Sequence, residues 1–202
     1  MTIHRLSVYM RCLRELEEDG VTTISSQELA ERFNLNSAQV RKDLKYFGEF
    51  GVRGIGYYVT RLRAELQKIL GLDREWPVAL VGFGNLGAAL FHHKGFSRQG
   101  FKIVAIFDDD PAKMGREVEG TPILGTRDLE RELRARGIQI GVVAVPAEGA
   151  QTVVDLLVAG GVKAILNFAP ARLRVRREVR LQNVDLSIEL ETLSFYLTRL
   201  GR

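Results

Sequence analysis

The chain has 202 residues, enough for one large domain or two small ones. Its 46% hydrophobic and 27% charged residues are ordinary for a globular protein, and its net charge of +4 permits an anionic partner without demanding one. The single cysteine, Cys12, excludes an intramolecular disulfide framework and a multi-cysteine zinc site, so no metal is expected and a reducing, cytoplasmic setting fits.

The first sixteen residues, "MTIHRLSVYMRCLREL", carry too many charges for a signal peptide. No run approaches the roughly 20 apolar residues of a bilayer span, so no membrane partner is expected. Leu6, Tyr9, Met10, Leu13 and Leu16 recur at three- and four-residue steps and share one helix face, which Gly20 ends. Ser25 and Glu28 have capping-box spacing and open a short helix to about Phe33. Asn34-Leu35 is a turn, and Asn36 with Gln39 repeats the capping spacing ahead of a second helix to about Phe47. Two short capped helices joined tightly after a longer one describe a helix-turn-helix.

The second of these helices is basic. Segment 36–63 holds Arg41, Lys42, Lys45, Arg53, Arg61 and Arg63 against Asp43 and Glu49, a net of 6 − 2 = +4. The rest of the first 75 residues has six basic and nine acidic groups, a net of −3. Concentration of charge on one element is the footprint of a DNA-reading helix. Ser37, Gln39, Arg41, Lys42 and Lys45 are the candidate contacts to base edges and phosphates. The glycines of "GEFGVRGIGYY" suit a tight wing hairpin that presents Arg53 to the DNA backbone or minor groove. A further helix spans about Thr60 to Leu70, and "GLDREWP" then breaks the pattern.

Strands now alternate with helices: strand-like runs at 78–82, 102–108, 139–146 and 162–168, helix-like runs at 85–94, 127–136 and 148–159. That alternation means a parallel sheet covered on both faces. "VGFGNLG" follows the first strand and opens a helix. Gly82 permits the tight turn, Gly84 lets a pyrophosphate approach the backbone, and Gly87 lets helix lie close on strand. Phe83, Asn85 and Leu86 complete the turn. Asp108 ends the next strand, 108 − 87 = 21 residues beyond the last glycine, where a carboxylate meets ribose hydroxyls. With Asp109 beside it and no arginine before Arg116, a 2′-phosphate would be repelled, so NAD or NADH is expected over the phosphorylated cofactor. The loops "AVPAEGAQ" and "LNFAPA" leave the carboxyl ends of later strands, placing Val145, Pro146, Asn167, Phe168, Ala169 and Pro170 toward the nicotinamide; plain strand termination is the other reading. In "ARLRVRREVR", arginines alternate with Leu173 and Val175 as on a strand with one wet face; DNA contact is the other reading, but no recognition element accompanies the cluster. A last strand at about 180–186 and an amphipathic helix ending near Leu200 complete the chain.

The expected fold is α/β: a winged helix-turn-helix domain at 1–76, a Rossmann-type doubly wound parallel sheet at 77–186 and a C-terminal helix at 187–202. "QVRKDLKYFGEFGVRGIGY", "VGFGNLG", "FDDDPAKMG" and "ILNFAP" in this order resemble, end to end, the redox-sensing transcriptional repressor family Rex. The resemblance implies a homodimer that binds inverted-repeat operator DNA when NADH is scarce and releases it when NADH binds. It implies a C-terminal helix exchanged between subunits, on which Phe195 is a candidate to line the apolar nicotinamide pocket. It also implies that Arg11 and Asp185 are switch partners. His93 stands where the family commonly has a tyrosine, either as a substitute in the switch or as a surface histidine without a role. The alternative class, an NAD-dependent oxidoreductase or CoA-binding Rossmann subunit, lacks a use for the basic helix, and no catalytic residue set stands out.

Overall fold

The computed structural model of the chain describes residues 2–200, with side chains for 3–199. Leu200's side chain and residues 201–202 of the expected C-terminal helix segment lie outside them. The chain divides between Arg74 and Glu75 into two compact units.

The first unit runs α1 (Thr2–Glu18), β1 (Thr23–Ile24), α2 (Ser26–Phe33), α3 (Ser37–Phe47), β2 (Tyr57–Tyr58) and α4 (Val59–Ile69). Its core sets the apolar face of α1 (Leu6, Tyr9, Leu13, Leu16) against Leu29, Val40, Leu44, Leu62 and Leu66. The capping box forms in both directions: Ser25 Oγ accepts the Glu28 N–H at 3.1 Å and Glu28 Oε2 accepts the Ser25 N–H at 2.8 Å. Asn34 turns the chain in the left-handed region, at φ 52°. The α3 cap is only half a box, because Asn36 Oδ1 accepts the Gln39 N–H but the Gln39 side chain goes elsewhere.

The wing keeps the expected tight turn at its tip, but its stem pairs elsewhere. Its stem pairs β2 antiparallel with β1, a two-residue strand that periodicity is too short to reveal. Its tip closes on itself, Val52 N–H to Gly56 O at 2.7 Å and Gly56 N–H to Val52 O at 2.9 Å, leaving Arg53 exposed. Gly56 has φ +96°, and a Cβ there would lie 2.5 Å from Ile24 O, so only glycine lets the wing pass β1.

The second unit runs β3 (Trp76–Val81), α5 (Asn85–Phe91), α6 (Lys94–Arg98), β4 (Phe101–Phe107), β5 (Glu117–Val118), β6 (Thr121–Leu124), a 3-10 turn at 126–128, α7 (Leu129–Ala135), β7 (Ile140–Val143), α8 (Ala147–Ala159), β8 (Ala164–Asn167), β9 (Arg180–Asn183) and α9 (Leu186–Leu200). The sheet order is β5-β6-β4-β3-β7-β8-β9, parallel except for β5 at the edge. Counted from β3, the parallel strands lie in the order 3-2-1-4-5-6, the doubly wound arrangement whose direction reverses between β3 and β7. Alternation along β3 feeds both faces. Ala79 and Val81 join Leu133, Val154 and Leu157 under α7 and α8, while Val78 and Leu80 join Leu90 and Phe91 of α5.

Two expectations change, and one pair of strands is new. The helix expected over 85–94 stops at Phe91, so His93 is not on it; His93 precedes the short α6 and stacks edge-on with Phe96, ring centroids 5.0 Å apart. The β5–β6 pair, turning through Glu119 and Gly120 at positive φ, was hidden by its short strands. Residues 172–176 alternate between exposed arginines and half-buried Leu173 and Val175 but belong to no strand. The edge beside β8 is taken by β9, and the Arg174 backbone bonds instead to the Gln151 side chain of α8, at 2.9 and 3.0 Å.

Candidate functional site

A cleft of about 540 Å³ opens at the carboxyl ends of β3, β4 and β7, where the strand order reverses. Gly82, Gly84, Asp108, Asp109, Val145 and Pro146, all expected there from sequence, line it. Gly82 has φ +93°, and its Cβ would lie 2.5 Å from Ala144 O. At Gly87 a Cβ would lie 1.9 Å from Gly82 O, so α5 can start this close to the turn only without a side chain. Gly84 and Gly149 have nothing within 4 Å of that position, leaving backbone open at the cleft.

Asp108 has a side chain only 12% exposed. Its Oδ2 accepts the Phe83 N–H at 2.7 Å and lies 3.2 Å from Lys113 Nζ, and its Oδ1 accepts the Asp110 N–H at 2.9 Å. Burial works to raise its pKa, but the Asp110 and Phe83 N–H groups and the Lys113 ammonium outweigh it, so the carboxyl sits below its ordinary value and is ionised. The acid thus fastens the glycine turn to β4 and keeps Oδ1 capacity for a further donor. Lys113 places a cation in the cleft ahead of Arg116; Asp110, 3.5 Å from it, and Asp108 offset its charge. Asp109 lines the cleft but is spent on Thr126, accepting its N–H at 2.9 Å and its hydroxyl at 2.8 Å.

The other expected residues are not among those that line this cleft. Phe83 stacks edge-on with Phe91, centroids 6.0 Å apart, and Leu86 is half exposed on α5, whose first residue is Asn85. Asn167 is 1% exposed and its amide is consumed: Nδ2 donates to Ala169 O and Asn183 Oδ1, and Oδ1 accepts the Ala169 N–H. It therefore shapes the exit of β8 rather than presenting an amide to the cleft. Phe168 and Ala169 pack into the two sheet faces, and Pro170 is exposed. Thr152, Val153 and Leu156 of α8 form a wall of the cleft that sequence reasoning missed, because a buried helix face does not reveal which void it borders.

Every described side chain of α9 is exposed. Leu186, Leu190, Leu193 and Leu197 form one stripe, at 58% to 70% exposure. Phe195 is half exposed, with the Arg199 guanidinium 4.7 Å from its ring centre, and the fold of one chain does not bring it to the cleft lining. Asp185 accepts the Ser187 N–H at 2.9 Å at the start of α9, and Arg11 is exposed on α1.

In the first unit α3 buries Val40 and Leu44 and exposes Ala38, Arg41, Lys42, Lys45 and Tyr46, one stripe at helical spacing. Arg41 Nη1 donates to Ser26 Oγ at 3.0 Å, which steadies it on α2. Ser37 is half buried in the first turn. Gln39 does not join the stripe: its Nε2 donates to Asp43 Oδ1 at 2.7 Å. Asp43 is 3% exposed and also accepts from Arg5 Nε at 2.5 Å, Arg5 Nη2 at 2.8 Å and Tyr9 Oη at 2.9 Å. The hydrogen bonds from Arg5 hold its pKa down at about 2 against burial, aided by Gln39 and Tyr9. Burial first, then Asp43, pushes the Tyr9 hydroxyl up to about 12. The signal for this network was a carboxylate on the apolar stripe Val40-Asp43-Leu44-Phe47, opposite Arg5 and Tyr9 one turn apart on α1.

Residues 73–171 match the family model "CoA binding domain", and residues 1–45 match "Putative DNA-binding protein N-terminus". Redox-sensing transcriptional repressors Rex from Desulfitobacterium hafniense and Syntrophomonas wolfei are 52% and 54% identical, over 96% and 97% of this chain and 92% and 93% of theirs. Among solved structures, RSP with β-NAD+ and operator DNA matches at TM-score 0.95 and 39% identity, over 99% of this chain and 92% of that one. RSP with β-NADH matches at TM-score 0.90 and 38% identity, over 99% and 94%. The first model covers only the sheet unit, whereas these relatives span both units. On that end-to-end likeness, the chain belongs to the Rex family of redox-sensing transcriptional repressors.

Proposed function

We propose that this chain acts as a homodimeric repressor that binds inverted-repeat operator DNA and releases it when NADH occupies the cleft at β3, β4 and β7. The observation that carries the reading is the pairing, in one chain, of a glycine-floored cleft with an ionised ribose-side acid and a helix that exposes Arg41, Lys42 and Lys45. The residues fit a dinucleotide. Gly84 offers open backbone for the pyrophosphate just ahead of α5, Asp108 Oδ1 accepts from the ribose, and Val145 and Pro146 border the nicotinamide end. The surplus of carboxylates over Lys113 favours the non-phosphorylated cofactor. The cofactor is an effector here, and the chain's own residues bind it without consuming it.

The chain is built for an apolar partner at α9, and a second copy supplies one. Covering half of the seven exposed large apolar side chains between 186 and 197 yields on the order of 5–10 kcal/mol. Phe195 on the exchanged α9 then meets the other copy's nicotinamide pocket, which a neutral reduced ring enters at lower desolvation cost than the cationic oxidised ring. Domain roles follow the two units: residues 1–74 read DNA, 75–185 bind the nucleotide, and α9 joins the copies. Arg11, Asp185 and His93 are the proposed switch residues, and the cytoplasm, which holds both ligands, is the proposed location. NADH and operator favour different dimer arrangements, so each weakens the other by an equal factor, of about 5–150 for a coupling of 1–3 kcal/mol.

The test is fluorescence anisotropy of a labelled inverted-repeat duplex bound to the full chain. Titrated NADH releases the duplex and NAD+ is much weaker; Asp108→Ala shifts the NADH midpoint upward at least tenfold, about 1.4 kcal/mol. Equal potency of NADH and NAD+ rejects redox sensing, and an unmoved midpoint removes Asp108 from the ribose.

A further inference from the structure

A glutamine or asparagine amide offers a donor beside an acceptor, the pattern that pairs bidentately with adenine N6 and N7 in the major groove. Helix α3 and its cap carry two such side chains, and both are engaged within the unit. Asn36 Oδ1 accepts the Gln39 N–H at 2.9 Å, and Gln39 Nε2 donates to Asp43 Oδ1 at 2.7 Å. Asp43 is fixed in turn: Arg5 grips both of its oxygens and Tyr9 donates to Oδ2 at 2.9 Å. A carboxylate is an acceptor only, so it takes one of the two Nε2–H donors of Gln39 and pins the direction of the amide, whose two edges adenine would need together. What α3 leaves exposed is cationic, at Arg41, Lys42 and Lys45, with the Ala38 methyl and the Tyr46 ring beside them. Cations read the paired acceptors O6 and N7 of guanine.

We propose that Asp43 is a specificity-determining positioning residue: by holding the Gln39 amide inside the unit, it keeps adenine readout off α3 and leaves the operator to be read at guanine by Lys42, Lys45 and Arg41. This rests on α3 being the recognition helix. A merely structural Asp43 would lower affinity for every sequence alike; a specificity-determining one changes which base is preferred.

The experiment selects binders from a pool of randomised inverted-repeat duplexes with the full chain and four variants, Gln39→Ala, Asp43→Ala, the double variant, and Lys42→Ala. Gln39→Ala selects the wild-type sequence. Asp43→Ala removes the acceptor, frees the amide and gains a preference for adenine at one position per half-site, about 5- to 100-fold over the other bases. The double variant loses that preference. The proposal is overturned if Gln39→Ala changes the preferred base, if folded Asp43→Ala selects the wild-type sequence, or if the double variant keeps the new adenine. Should circular dichroism show Asp43→Ala unfolded, Gln39→Ala decides alone: an unchanged sequence supports the proposal and a changed one rejects it. Lys42→Ala with undiminished affinity rejects α3 as the recognition helix and this inference with it, a failure distinct from the others.

Discussion

Helices α3 and α9 both present a continuous stripe to solvent, and the two stripes are chemically opposite. The stripe on α3 is Arg41, Lys42, Lys45 and Tyr46 around Ala38, and its reverse side is locked into a core by Val40, Leu44 and the Asp43 network. The stripe on α9 is Leu186, Leu190, Leu193 and Leu197, and none of its described side chains is buried. A helix that is rigid behind and cationic in front suits a charged, separately folded partner that comes and goes. One left apolar and uncovered suits permanent burial against another chain. Exposure alone therefore does not tell a binding surface from an unfinished core; the chemistry of the stripe and the burial of its reverse side do.

The widest break in this comparison comes at α9. Leu190→Arg with Leu197→Arg should convert the dimer to a monomer in sedimentation equilibrium. Operator affinity should fall about 10²–10⁴-fold, because the second half-site no longer binds intramolecularly. A dimer that survives both charges would assign its interface elsewhere.

A smaller effect is expected at α3. Lys42→Ala should cost about 1–3 kcal/mol of operator affinity and leave sedimentation unchanged. Loss of dimerisation instead would mean that α3, too, is an assembly surface.

The smallest effect tests what lies behind α3. Tyr9→Phe removes one buried hydrogen bond, worth about 1 kcal/mol, and should lower the unfolding midpoint of the first unit by about 4–8 °C. The Asp43 carboxyl is depressed from 3.8 to about 2, so its contribution is complete above pH 3.8 and is lost as pH falls through about 2. The Tyr9 hydroxyl is raised from 10.0 to about 12, so its contribution is complete below pH 10.0 and is lost as pH rises through about 12. The gap between wild type and Tyr9→Phe should thus stay flat from pH 3.8 to 10.0 and close as pH rises from 10.0 toward about 12. At acid pH it should close only as the folded Asp43 carboxyl takes up its proton at about 2, because Arg5 holds that carboxyl down in both proteins. Scanning melts across pH check this, and a gap that varies inside the window removes the network as its source.

Sequence by itself determined whatever depends on residues within a few positions of each other. The Ser25–Glu28 cap, the turn at Asn34, the glycines at 82 and 87, and the apolar runs of β3, β4, β7 and β8 are local patterns, and each acts where it lies. The order of the motifs also carried the family resemblance. Tertiary structure decided how polar side chains were spent. Gln39 has the spacing of a cap and the chemistry of a base reader, yet it serves Asp43, which is set by Arg5 38 residues away. Asn167 sits in a loop expected at the nicotinamide and instead closes that loop with its own amide. Residues 172–176 have a strand's alternation but no free sheet edge, and His93 lies past a helix end that periodicity did not mark. A buried donor or acceptor must find a partner, and that partner is chosen by whichever distant segment folding brings within about 3 Å, a choice local pattern does not contain.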